Sequence, residues 1–195
     1  DFRLDPRCRQ KALLAILTPA DAKLDFLVMA DWGGSEAKPF TTEAELACGQ
    51  SMGEMQPQVD AKFALALGDN FYSHGISSDV TDSRFNNTFE NAFPSPNLMT
   101  DGFFRVVAGN HDHAGNVTAQ IAYASVSKRW RFDDFWWSFT ESIPPSSPTD
   151  VEAQLEVVLI DTVLLSGNSD VQDEHGDIVS SLNGDELPGP ADPEL

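Results

Sequence analysis

The sequence predicts an α/β fold, and three observations carry that prediction. Short apolar runs of strand length alternate with segments whose apolar residues recur at helical spacing. Three of those runs stop at a turn that pairs glycine with Asp or Asn. Hydrophobic residues fill 41% of the 195 positions, enough for a packed core despite a net charge of −19.

Each element has its own signal. The nearly continuous apolar run 24–30 ends in Asp31-Trp32-Gly33-Gly34 and reads as a buried strand stopped by a tight turn. Thr42-Glu43-Ala44-Glu45 has the form of a capping box. Behind it Ala44, Ala47, Cys48, Ser51, Met52 and Met55 follow a helical period, and Pro57 is expected to end that helix. Residues 62–67 form a second strand, ending in Gly68-Asp69-Asn70. Phe85, Phe89 and Phe93 recur every four residues behind Asp82 as N-cap, and Pro94 and Pro96 close that helix. Residues 103–108 form a third strand, ending in Gly109-Asn110-His111-Asp112-His113. Val117, Ile121 and Ala124 mark a further helix. Residues 135–139 and 155–160 read as two more strands, the latter ending in Asp161-Thr162. Strands alternating with helices imply a sheet built from β-α-β units, with its site beyond the carboxyl ends of the strands.

Charge divides the chain. Every Lys and Arg lies at or before Arg131. Residues 1–131 hold 16 acids and 12 bases, whereas residues 132–195 hold 15 acids and no base. So acidic a protein does not bind nucleic-acid phosphate or an anionic membrane through bulk charge. An anionic substrate then needs a local positive centre, such as a metal. No run approaches the ~18 apolar residues of a membrane span. Cys8 and Cys48 make no disulfide framework and no CxxC pair; one bridge and two free thiols both fit. Arg3, Arg7, Arg9 and Lys11 before the apolar stretch Ala12–Leu17 imitate a signal peptide. The stretch is short and Asp1 and Asp5 interrupt the bases, so a surface helix is the plainer reading. Asn86 and Asn116 each open a glycosylation sequon.

The strand ends collect metal-binding chemistry. Asp31, Asp69 and Asn110 offer hard oxygen donors, and Tyr72 offers a phenol that a strongly acidic metal can deprotonate. A carboxylate such as Asp69 can bridge two ions, and two ions can activate water and stabilise an in-line phosphoryl displacement. His74 and His175 read as loop histidines. A calcium-loop reading of residues 170–177 fails, because Gly176 at the sixth position puts Val171 at the first.

Asp31-Trp32-Gly33-Gly34, Gly68-Asp69-Asn70-Phe71-Tyr72 and Gly109-Asn110-His111-Asp112-His113 resemble the first three motifs of the purple acid phosphatases, closest to the tartrate-resistant type, within the calcineurin-like metallophosphoesterase superfamily. Residues 115–123, Ser127-Lys128-Arg129-Trp130, Asp161-Thr162-Val163 and residues 166–170 extend the resemblance, which covers about residues 24 to 170. It implies a sandwich of mixed β-sheets flanked by helices, incomplete here. It implies that Asp31 and Tyr72 bind Fe(III), that Asp69 bridges, and that Asn110 binds Fe(II), Zn(II) or Mn(II). It implies that His111 contacts substrate phosphate or helps protonate the leaving group. Asp112 is expected to orient a neighbouring imidazole. His113 either faces the pocket or packs. The implied reaction is metal-bound hydroxide attack on a phosphomonoester at acidic pH, in a secreted, lysosomal or vacuolar enzyme. A nucleotidase or phosphodiesterase, and a non-catalytic binding protein, are the alternatives.

The family's later motifs, Gly-His-Tyr-Pro and Gly-His-x-His, supply three more histidine ligands. This chain has four histidines and no Gly-His pair. The expected organisation is an extension (1–23), the first part of the metallophosphoesterase domain (24–170), and an acidic Pro/Gly-rich loop (171–195). A truncated chain with poor metal binding and no normal turnover is the expectation. The oligomeric state and substrate are not legible.

Overall fold

In a computed structural model that describes residues 23–145, 152–166, 170–172 and 178–181, four short parallel strands form the central sheet. They are β1 (Leu27–Met29), β2 (Ala64–Leu67), β3 (Phe104–Val107) and β4 (Trp130–Arg131), in that spatial order. Pairing is in register from Leu27 opposite Ala64 to Ala64 opposite Phe104 and Phe104 opposite Trp130. The first three predicted strands are present but shorter than their apolar runs 24–30, 62–67 and 103–108, whereas the predicted strands 135–139 and 155–160 extend to Trp136–Ile143 and Ala153–Ile160. β4 had no separate sequence signal.

The sheet separates two apolar layers by strand alternation. Leu27, Met29, Ala64, Ala66, Phe104 and Val106 face one side, where Trp32, Phe71, Phe85, Phe89, Phe93 and Trp130 pack. The Trp32 ring sits edge-on to Phe93 at 5.4 Å and Trp130 at 6.2 Å. On the other side Phe63 and Val107 meet Trp137, Phe139 and Leu159. Those last three belong to an antiparallel pair, β5 (Trp136–Ile143) with β6 (Ala153–Ile160). The Trp137 indole donates to the Val106 carbonyl at 3.1 Å, tying this pair to the sheet. Arg105 crosses the same layer between the Phe63 and Phe139 rings and pairs with Glu141.

Helix α1 (Glu43–Val59) starts at the expected capping box, with Thr42 and Glu45 bonded reciprocally. It does not stop at Pro57. Proline removes the N–H that the Gly53 carbonyl would accept, and the Asn97 side-chain amide takes that place at 2.9 Å. The helix ends instead at left-handed Asp60. The phenylalanine repeat forms a six-residue π-helix, Phe85–Glu90, rather than a longer α-helix, and Asp82 caps its approach through the Arg84 amide at 3.0 Å. After β3 come α2 (Asn110–His113) and α3 (Val117–Ala122), and after β6 comes α4 (Thr162–Ser166). The stretch expected as acidic loop from 171 carries an antiparallel pair, β7 (Asp170–Gln172) with β8 (Ile178–Ser181). The signal-like stretch Ala12–Leu17, Cys8 and His175 lie outside the described residues. Cys48 is disulfide-bonded.

Burial at the start of α1 has a measurable cost. The Glu45 side chain is 1% exposed, its Oε1 has no hydrogen-bond partner among the described residues, and burial pushes its carboxyl up to about 8 from 4.5. Folding therefore favours the neutral acid, and this group's contribution falls as pH rises from 4.5 through about 8. Glu45→Gln removes that dependence. In thermal unfolding the Gln variant should gain on the parent across this window and match it most closely below 4.5. A gap independent of pH contradicts the account.

Candidate metal centre

The carboxyl ends of β1, β2 and β3 open on one cleft of about 450 Å³, lined by Asp31, Asp69 and Asn110 together with Leu67, Val158 and Ile160. Asp31 and Asp69 sit in the left-handed region, at φ 55° and 51°. That conformation is uncommon for residues with a side chain and concentrates at functional sites. It turns both carboxylates out of their strands toward each other's turn. Tyr72 completes the cluster: its hydroxyl donates between Asp31 Oδ1 at 2.9 Å and Asp69 Oδ2 at 3.1 Å. Three oxygen donors thus converge around one shared proton.

Close backbone approach makes this geometry. A Cβ on Gly33 would lie 2.5 Å from the Phe71 nitrogen and 2.6 Å from the Tyr72 nitrogen. One on Gly109 would lie 2.3 Å from Asp69 Oδ1. Only glycine lets these turns meet. The turns also bond directly, Gly33 N–H to the Asp69 carbonyl at 3.0 Å and Tyr72 N–H to the Gly33 carbonyl at 2.9 Å.

Electrostatics favour a cation here. Burial is the largest cause raising Asp69, and the His111 amide and imidazole oppose it. Burial and the two carboxylates push the Tyr72 phenol far above its ordinary value. A multivalent cation reverses that preference, because it replaces the shared proton with a larger charge. Among the described residues no Lys or Arg lines the cleft. Carboxylate and phenolic oxygens suit a hard metal ion, so the donors present fit one. They are not a full set: among the described residues no group of three or more His, Cys, Asp or Glu converges.

The His-Asp-His run divides into three roles. His111 stands over the Tyr72 ring at 4.7 Å, its amide donates to Asp69 Oδ1 at 3.2 Å, and its Nδ1 lies 2.7 Å from the Ser73 carbonyl. That contact places the proton on Nδ1 and leaves Nε2 as the available nitrogen. Asp112 contradicts its expected part. Its carboxylate is fully buried and accepts from the Asn70 amide at 3.0 Å, the Gly109 amide at 2.9 Å and the Gln120 side chain at 2.9 Å, none of them an imidazole. Burial raises it to about 6. His113 is 3% exposed, stacks on Phe135, and pairs through Nε2 with Asp161 at 2.6 Å. Asp161 in turn accepts from the Val163 and Leu164 amides and caps α4.

The other candidates lie apart. His74 contacts Glu36 and Ser73 beside the Tyr72 loop. Asn116 caps α3 and donates to the Ser78 carbonyl, and Asn86 is exposed on the π-helix. Asn70 and Arg84 had no functional signal in the sequence. Asn70 accepts from the Trp32 indole at 3.0 Å and donates to Val107 O, which binds the first turn to the other two.

Fold and site together define a partial metallophosphoesterase-type α/β domain. No family model matches the chain. It is 42% identical over 150 residues to tartrate-resistant acid phosphatase type 5 of Oryctolagus cuniculus, covering 77% of this chain and 44% of that protein. It is 34% identical to purple acid phosphatase 7 of Arabidopsis thaliana, over 58% of this chain and 32% of that one. Both relatives are purple or tartrate-resistant acid phosphatases, and the chain spans about half the length of the tartrate-resistant relatives it matches. The solved structure titled "GAP50 the anchor in the inner membrane complex of Plasmodium" superposes with a TM-score of 0.63 over 75% of this chain and 44% of that one. At 20% identity that likeness concerns the fold.

The Gly109 contact yields a direct test. Gly109→Ala drives a methyl into Asp69, and the strain should cost about 1–3 kcal/mol. Denaturant unfolding should show an earlier midpoint; an unchanged midpoint contradicts the close approach.

Proposed function

We propose that this chain supplies the oxygen-donor part of a dinuclear acid phosphatase that hydrolyses phosphomonoesters. The observation that carries the reading is the Tyr72 hydroxyl shared between Asp31 and Asp69 at the ends of adjacent parallel strands. Asp31 and Tyr72 would hold a ferric ion, Asp69 would serve both ions, and Asn110 would hold a divalent ion of iron, zinc or manganese. When bound, the ions supply Lewis acidity, which acidifies water at low pH and offsets phosphate charge. The chain's own work is placement and proton handling. The left-handed Asp31 and Asp69 fix the donors, beside the exposed apolar side chains of Leu67, Val158 and Ile160. With Nδ1–H committed to Ser73, His111 would give a proton to the leaving oxygen from Nε2 when its ring carries a proton on both nitrogens. The disulfide at Cys48 supports an oxidising route, secreted or lysosomal, where the exposed Asn86 is open to glycosylation.

The 195-residue polypeptide contains no Gly-His pair and so lacks the imidazoles that the family adds. With ferric and zinc ions it should show no sustained hydrolysis of p-nitrophenyl phosphate; robust metal-dependent turnover overturns that part. The native gene product should contain two metal ions, a visible tyrosinate band and monoesterase activity. Asp69→Asn in it should lower kcat/KM by about 10²–10³-fold. A native product without metal or activity selects the binding-protein reading, and diesterase activity without the band selects another phosphoesterase.

A further inference from the structure

We propose that Arg84 is a positioning residue for the oxygen cluster: its buried guanidinium fastens the loop after Asp31 to the loop that carries Tyr72. The proposal rests on Asp31, Asp69 and Tyr72 being the metal-holding donors, but it concerns contacts within the metal-free chain.

Arg84 is 7% exposed. Its Nη1 donates to the Gly75 carbonyl at 3.1 Å. Its Nη2 donates to the carbonyls of Ser35 at 3.3 Å, Gly33 at 3.5 Å and Tyr72. Two of these carbonyls, Gly33 and Ser35, follow Asp31. The other two, Tyr72 and Gly75, belong to the phenol's own loop. The guanidinium carbon lies 5.3 Å from the Phe40 ring centroid and 5.9 Å from that of Phe71. The acceptors are neutral carbonyls, Asp82, Glu36, Asp112 and Glu45 offset the charge only through space, and Nε has no partner among the described residues. A buried cation held in this way is costly for stability alone. Its planar fork of donors reaches acceptors on two loops at once, which an ammonium does not. The loops already share the Tyr72–Gly33 amide bond on one side, and Arg84 closes them from behind. With both sides fixed, the Tyr72 ring has little freedom to swing its hydroxyl away from Asp31 and Asp69.

The molecule contains a comparison. Arg129 is 3% exposed and donates to the main-chain carbonyls of Phe89, Glu90 and Phe93, but it also pairs with the Glu90 carboxylate at 2.7 Å, serves the π-helix and touches none of the oxygen cluster. Losing either arginine's fork should weaken the fold. Only the loss at Arg84 should reach Tyr72.

The test uses the full 195-residue chain carrying Tyr123→Phe, which leaves Tyr72 as its single tyrosine. The readout is the intensity ratio of the tyrosine Raman doublet, which is low when a phenol donates to a carboxylate. Arg84→Lys should raise the ratio toward that of a solvated phenol while cooperative unfolding is retained. Arg129→Lys should leave the ratio unchanged even if it lowers the melting temperature as much. A low ratio kept in Arg84→Lys, or an equal rise in Arg129→Lys, overturns the proposal. If Arg84→Lys does not fold, nitrogen-15 spectra of the parent decide. Separate, slowly exchanging Nη–H resonances coupled to the Gly75 and Ser35 carbonyls support the clamp, and a single averaged signal overturns it. Failure of the phosphatase reading would show in metal content and hydrolysis of the native product, and it would not alter either spectrum.

Discussion

A carboxylate beneath the cleft holds the surrounding turns together. Asp112 accepts N–H bonds from Asn70, in the turn after β2, and from Gly109, in the turn after β3. Gln120 adds a third donor from α3. These bonds keep Asp69 and Asn110 on the same side of the sheet. Asn70 passes the constraint on, since its Oδ1 receives the Trp32 indole and so fixes the turn that holds Asp31. Burial costs this carboxylate, which is raised to about 6, and the three donors offset much of that cost. The donor oxygens are therefore placed by the protein's own hydrogen bonds before any ion arrives.

The parts of this arrangement that depend on local rules were legible in the sequence. Apolar runs and their Gly-Asp or Gly-Asn ends gave the parallel strands and the donors Asp31, Asp69 and Asn110, because a strand must end in a turn and a tight turn favours glycine. The capping box at Thr42 was equally local. What spacing could not show were bonds made across the chain. Asp112 lies between two histidines and looks like an imidazole's partner, yet its donors include an amide 42 residues away. His113 finds Asp161 at a separation of 48. Pro57 fails to end α1 because Asn97, 44 residues from Gly53, takes the orphaned carbonyl. Arg84 gave no signal, since an arginine within a helical pattern ordinarily reads as a solvated surface residue.

The charge imbalance also acquires a local meaning. Glu152 and Glu156, on the base-free side of Arg131, are exposed, whereas Asp161 is buried to hold His113 and α4. At the cleft two carboxylates and a phenol meet with no Lys or Arg in the lining among the described residues, which favours a cation. The acidity that rules out phosphate binding by bulk charge thus coexists with a pocket in which an ion supplies the positive charge locally.

Asp112→Ala tests the central constraint most directly. Asn70 N–H reaches both carboxylate oxygens and Gly109 N–H one of them, so removing the carboxylate takes this acceptor from both amides. Amide hydrogen exchange in the full chain should then lose protection at Asn70 and Gly109 by tenfold or more, about 1.4 kcal/mol or above. Unchanged protection at both amides would contradict the account, because the turns would be held by something other than this carboxylate.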